Sequence, residues 1–180
     1  MKLTLIIAML AALAGGCASN AGNPSSAKQG ESKSSGVSDL KGARLSASTL
    51  SARKLMYKKV EGILAQGQPA KYKAYYSGEV LRIVQEQFDL GDYGGSEKEY
   101  FLDAKGRLFY YVASDERAKQ SAKEHVKTRI AYNANGQVVG SEKIVNGQPG
   151  KLSTAEMKAV KSRFDALRKA ANASRKPKAG

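Results

Sequence analysis

Between Tyr72 and Val145 the apolar residues are mostly β-branched or aromatic and come in short runs broken by glycine-bearing turns, the texture of strands rather than helices. Residues 72–76 and 80–88 flank Ser77-Gly78, residues 97–102 and 107–112 flank Asp103-Ala104-Lys105-Gly106, and residues 126–132 and 137–145 flank Asn133-Ala134-Asn135-Gly136. In the last two connections the leading Asp or Asn can accept a local backbone hydrogen bond and the glycine supplies positive φ, the chemistry of a short hairpin turn. Each strand pair is therefore expected to lie side by side and antiparallel, giving one sheet of about six strands built from three hairpins. Val126, Thr128, Ile130 and Tyr132 alternate with Lys127 and Arg129, which predicts one buried and one wet face. Leu108, Tyr110 and Val112 alternate instead with Phe109, Tyr111 and Ala113, so this strand is apolar on both faces and belongs at the centre. The runs Leu102–Leu108 and Tyr132–Val138 align without a gap, a weak repeat of one hairpin.

On either side of this region the period lengthens. Ala52, Met56, Val60, Ile63 and Leu64 recur at helical spacing, predicting a helix from Ser48 to Gln66 that Gly67 and Pro69 end. Ser153 and Glu156 form a capping box ahead of Met157, Val160, Phe164 and Leu167, predicting a C-terminal amphipathic helix and then the basic tail Arg175-Lys176-Pro177-Lys178. Residues 89–96 read as a glycine-rich loop and residues 114–124, which carry no apolar stripe, as a longer loop or short helix. The fold class expected is α+β: a single antiparallel sheet with an N-terminal and a C-terminal amphipathic helix.

The first residues have a different texture. Lys2 precedes an almost wholly apolar run, Leu3 to Leu13, and the small residues Ala14, Gly15 and Gly16 lead to Cys17, the order of a secretory signal. The apolar run is too short to span a bilayer, which takes roughly 20 residues. Leu13-Ala14-Gly15-Gly16-Cys17 resembles the lipobox of bacterial lipoprotein precursors, with the leucine one position further out than usual. That resemblance implies a diacylglyceryl group on the Cys17 thiol, cleavage between Gly16 and Cys17, and a further acyl chain, such as palmitate, on the new amino group. It also implies the periplasmic face of the outer membrane, since Ala18 stands where an inner-membrane retention signal would place Asp. Residues 18–42 have almost no large apolar side chain and read as a flexible tether. The domain plan is thus a signal peptide at 1–16, the lipidated cysteine and tether at 17–44, and a single α+β domain at 45–180.

Composition narrows the function classes. The formal net charge is +14, so a partner is expected to be anionic. The charge is uneven: residues 44–76 and 151–180 are strongly basic, while residues 77–114 carry an acidic excess. Export argues against nucleic acid as the ligand. One cysteine rules out an intrachain disulfide, and one histidine with one cysteine argues against the common zinc sites. No Gly-x-Ser-x-Gly elbow, phosphate-binding glycine loop, His-Glu-x-x-His or calcium loop is present. His125 adjoins Glu124, but neighbours on a strand point to opposite faces, and Asp89, Asp92, Glu97 and Glu99 are spaced irregularly for a cation site. No catalytic residue, cofactor or metal is therefore expected.

The candidate binding surface consists of tyrosines that would stack on an open sheet face, Tyr76, Tyr93 and Tyr111, and the basic face of the first helix, Arg53, Lys54 and Lys58. The reading is a non-enzymatic binding or scaffolding module anchored by acyl chains on Cys17 and engaging another envelope protein. The alternative is a binder of anionic envelope polymers or lipids through the basic helices.

Overall fold

A computed structural model describes residues 39–65, 69–89, 91–119 and 122–175, the side chains of Tyr93 and Lys119 excepted. The segment expected to be a signal peptide, Cys17, the expected tether as far as residue 38 and the residues after Arg175 lie outside the described residues. All the elements belong to one unit, Lys33–Gly180. In chain order they are α1 (Leu40–Ala52), a 3-10 turn (Lys54–Met56), β1 (Lys58–Leu64), β2 (Ala70–Ser77), β3 (Val80–Asp89), a second 3-10 turn (Gly91–Tyr93), β4 (Gly94–Leu102), β5 (Leu108–Lys119), β6 (Ala122–Tyr132), β7 (Val138–Val145), β8 (Gln148–Gly150) and α2 (Thr154–Arg175).

The strands form one eight-stranded sheet in which each pairs antiparallel with its neighbour in the chain. The class and the antiparallel sheet agree with the sequence, as do the pairs β2–β3, β4–β5 and β6–β7. The count of about six strands does not, and the sheet is a continuous meander rather than three separate hairpins. Four local differences account for this. The expected helix over 48–66 is instead the end of α1, a turn and β1, in register with β2 from Lys58 opposite Tyr76 to Leu64 opposite Ala70. Val60, Gly62 and Ile63 are poor helix formers, and pairing decides their state. Residues 91–93 form a 3-10 turn and Gly94 starts β4, while residues 114–119 and 122–124 extend β5 and β6, paired as far as Lys119 opposite Ala122. Finally, β8 pairs with the end of β7.

Asp39 starts α1 by accepting a hydrogen bond from Gly42 N at 2.6 Å, and Leu40–Arg44, assigned above to the tether, are its first residues. Ala43, Ala47 and Leu50 then face the sheet and pack on Tyr75, Ile83, Phe101 and Tyr110. The two repeated turns are built alike. Asp103 Oδ1 accepts from Lys105 N and Arg107 N, Asn133 Oδ1 accepts from Asn135 N and Gln137 N, and Gly106 and Gly136 have φ of 73° and 75°. Each is followed by a bulge: Leu102 pairs with Leu108 but Phe101 with Tyr110, and Tyr132 pairs with Val138 but Ala131 with Gly140. The extra residues, Phe109 and Val139, both join the cluster under α1.

The opposite face belongs to α2. Ser153 and Glu156 cap it reciprocally, and Phe164, Leu167 and Ala171 pack on Ala74, Tyr100, Tyr111 and Ile130. Its 22 residues reach about 33 Å, close to the ~29 Å that six strand spacings span from β7 to β1. It touches both ends: Lys143 Nζ on β7 donates to Glu156 Oε1 at 2.7 Å, and the Tyr72 and Ser174 hydroxyls, on β2 and α2, share a hydrogen bond of 2.8 Å. Between them Arg163 reaches Glu86, 1% exposed at the sheet centre, where Tyr100 Oη also donates at 3.1 Å. Burial, and then the neighbouring Glu86 carboxylate, hold the Tyr100 hydroxyl well above its usual pKa.

Candidate binding groove

α2 crosses one face from β7 to β1, whereas α1 covers only the part of the other face that holds Tyr75, Ile83, Phe101, Phe109, Tyr110 and Ala131. Beside α1, over β1 to β5, that face forms an open groove of about 890 Å³. Its floor follows from the pleat, which sends alternate residues of β1 to β5 to this side. Two registered rows cross it: Glu61, Lys73, Gln85, Glu99 and Val112, and beyond them Ile63, Lys71, Gln87, Glu97 and Ser114.

In the row nearer α1, Glu61, Gln85 and Glu99 are hydrogen-bonded. Tyr75 Oη donates to Gln85 Oε1 at 2.9 Å, Gln85 Nε2 donates to Glu99 Oε1 at 2.6 Å, and Lys54 Nζ donates to the same oxygen at 3.1 Å. A hydrogen bond from Lys59 holds the Glu61 carboxyl below its ordinary value. The farther row differs. Lys71, Gln87, Glu97 and Ser114 are exposed and make no side-chain hydrogen bond or ion pair among the described residues. Ile63 ends the row at β1, 70% exposed.

A smaller hollow of about 320 Å³ continues past the row toward Gly91, Gly94 and His125. There His125 Nδ1 lies 3.7 Å from Glu116 Oε2, while Lys123 Nζ, 2.5 Å from Glu116 Oε1, holds that carboxyl below its ordinary range. No hydrogen bond links Ser114 to His125, so the two do not form a nucleophile–base pair as they stand. Asp89 Oδ1 accepts from Gly91 N at 2.9 Å, and among the described residues no three acidic, histidine or cysteine groups gather as a metal site would require.

The residues singled out in the sequence do not come together. Tyr76, 1% exposed, donates to Asn172 Oδ1 at 3.0 Å and lies beneath Arg175, while Tyr111 packs on Tyr100 with ring centroids 5.0 Å apart. Both are inside the α2 interface, so that face is packed core and not an open platform. The Tyr93 side chain lies outside the described residues. Arg53 is the exposed C-cap of α1, Lys54 turns inward to Glu99, and Lys58 is the exposed first residue of β1, so the three share no helix face. The sequence pattern did not single out Lys71 and Gln87, although each alternates with buried neighbours along its strand, and it weighed Glu97 only as a cation ligand. The signal was the coincidence of such alternation on consecutive strands, which appears only once the strands are registered.

No family model, no curated protein and no solved structure matches this chain. Among the described residues, no helix is long and apolar enough to cross a membrane.

Proposed function

We propose that the chain is a small, non-enzymatic envelope lipoprotein whose groove binds an extended segment of another envelope protein. The reading is supported above all by the unpaired row of Lys71, Gln87, Glu97 and Ser114, drawn from four adjacent strands in register. The Lys71 ammonium on β2 and the Glu97 carboxylate on β4 stand two strand spacings apart, roughly 10 Å. Such a row suits a partner that carries both signs of charge at that separation, as a polypeptide does and a uniform polyanion does not. The Gln87 amide between them can donate to and accept from a backbone laid across the strands. Anchoring rests on the sequence: diacylglycerol on Cys17 and a second acylation would hold the domain stably to lipid, at the periplasmic side of the outer membrane.

The test is a photo-crosslinking residue at Gln87 or Ser114 in cells, with Asn135 as a control outside the groove. Adducts confined to the groove positions, and lost on Lys71→Glu or Glu97→Lys, are expected. Adducts identical at Asn135, or insensitive to both reversals, refute the groove. Mass spectrometry of the processed N-terminal peptide tests the anchor, and a free thiol at Cys17 refutes it. A second reading, contact with anionic polymers or lipid through the basic helices, is favoured by residues 40–60, which contain Lys41, Arg44, Arg53, Lys54, Lys58 and Lys59 and no acid.

A further inference from the structure

The corner where α1 hands over to β1 presents two apolar side chains to water. Leu55 is 99% exposed and Met56 83%, side by side in the 3-10 turn, while Tyr57, the next residue, packs against the cluster under α1. Neither Leu55 nor Met56 serves the core, so packing does not explain why this corner is apolar. Its surroundings are of one sign. The acids that approach from the strands, Glu99 and Glu61, are paired with Lys54 at 3.1 Å and Lys59 at 3.0 Å. Arg53 and Lys58, on either side of the turn, are exposed and have no acidic partner among the described residues.

We infer that Leu55 and Met56 form an insertion tip that enters the interfacial region of an anionic lipid bilayer, with Arg53 and Lys58 reaching the headgroups around it. Unbranched or γ-branched side chains fit the disordered boundary of the acyl chains, and flanking Arg and Lys extend apolar stems while keeping their charge at the headgroup level. Each cation near a negative leaflet strengthens partitioning by roughly fivefold. The tip does not depend on acylation of Cys17. It rests on the second reading above for the sign of the surface, and it adds which residues enter the membrane and how the domain is oriented on it.

The test uses the full chain carrying Cys17→Ser, with a polarity-sensitive fluorophore on Leu55→Cys or Met56→Cys and on Asn135→Cys as a control. The probe surfaces are vesicles of phosphatidylcholine alone or mixed with phosphatidylglycerol. Blue-shifted emission at 55 and 56 on the mixed vesicles, reduced by salt and absent at 135, is expected, with at least a tenfold loss of partitioning for Arg53→Ser/Lys58→Ser. Binding to mixed vesicles with unchanged emission at 55 and 56 overturns the tip but leaves the basic-helix reading standing. Absence of binding overturns both. A shift that needs no vesicles and grows with protein concentration places a second copy over the tip and also overturns the inference.

Discussion

The ring of Tyr72 lies over Gly62 on the neighbouring strand, so closely that a β-carbon at residue 62 would fall 2.6 Å from Tyr72 Cζ and 2.8 Å from Cε1. This lets Tyr72 reach past β1 to Ser174 at the far end of α2. Gly62→Ala is expected to displace the ring, break that hydrogen bond and destabilise the fold by about 1–3 kcal/mol. Urea unfolding of Gly62→Ala, Tyr72→Leu and the double variant checks it: the double variant should be markedly more stable than the two single losses added together.

Glu86 is a carboxylate inside the protein, held by Arg163 and Tyr100. Arg163→Met leaves it without its cation and is expected to cost about 3–5 kcal/mol, whereas Glu86→Leu/Arg163→Met should regain most of that loss. Denaturant midpoints of the single and double variants give the answer. A double variant as unstable as Arg163→Met would show that packing, not the orphaned charge, carries the cost.

Two buried tyrosines predict opposite outcomes for the same chemical change. The Tyr132 hydroxyl has no hydrogen-bond partner among the described residues, and burial pushes it up to about 12. Tyr132→Phe removes an unsatisfied group and should leave stability unchanged or raise it by ~1 kcal/mol. Tyr100→Phe removes a donor to Glu86 and should lower it by about 1.5–3 kcal/mol. Thermal unfolding of the pair, read side by side, checks both signs.

Hydrogen bonds from Lys143 and then Ser153 hold the Glu156 carboxyl down to about 2 from its ordinary 4.5. A depressed carboxylate stabilises the fold above the unfolded value, and that contribution disappears as pH falls from 4.5 toward 2. Because the Glu156 side chain is 43% exposed, solvent screening limits the effect to under about 1 kcal/mol. Glu156→Gln should therefore lower stability at neutral pH and flatten its dependence over that acid range. Ser153→Ala, which removes the reciprocal cap, should cost ~1 kcal/mol.

What was legible in the sequence was whatever local chemistry decides. Asp103 and Asn133 make their turns with their own side chains, Ser153 and Glu156 cap α2 within one turn, and from Val126 to Ile130 the buried Val126, Thr128 and Ile130 alternate with the exposed Lys127 and the half-buried Arg129. What was lost depends on partners. Val60 and Leu64 fit a helical stripe as well as one face of a strand, and only β2 resolves the ambiguity. Ala43 and Ala47 are too small to announce a helix, although Asp39 ahead of Leu40 was a usable signal. The outer ends of β5 and β6 are wet on both sides, so their sequence carries no hydrophobic period. The groove could not be read at all before the strands were aligned.

Because each strand finds its partner in the adjacent stretch of chain, the sheet can grow in the order of synthesis, without waiting for distant segments to meet. The two helices join residues far apart in the chain: α1 sets Ala43 and Ala47 on Phe101 and Tyr110, and α2 brings Arg163 to Glu86 and Ser174 to Tyr72. Until α2 docks, Tyr72, Tyr76, Tyr100 and Tyr111 stand on an uncovered surface that invites association with other nascent chains. The final helix is thus the step that ends this vulnerable interval, and chains truncated before Thr154 should aggregate rather than fold.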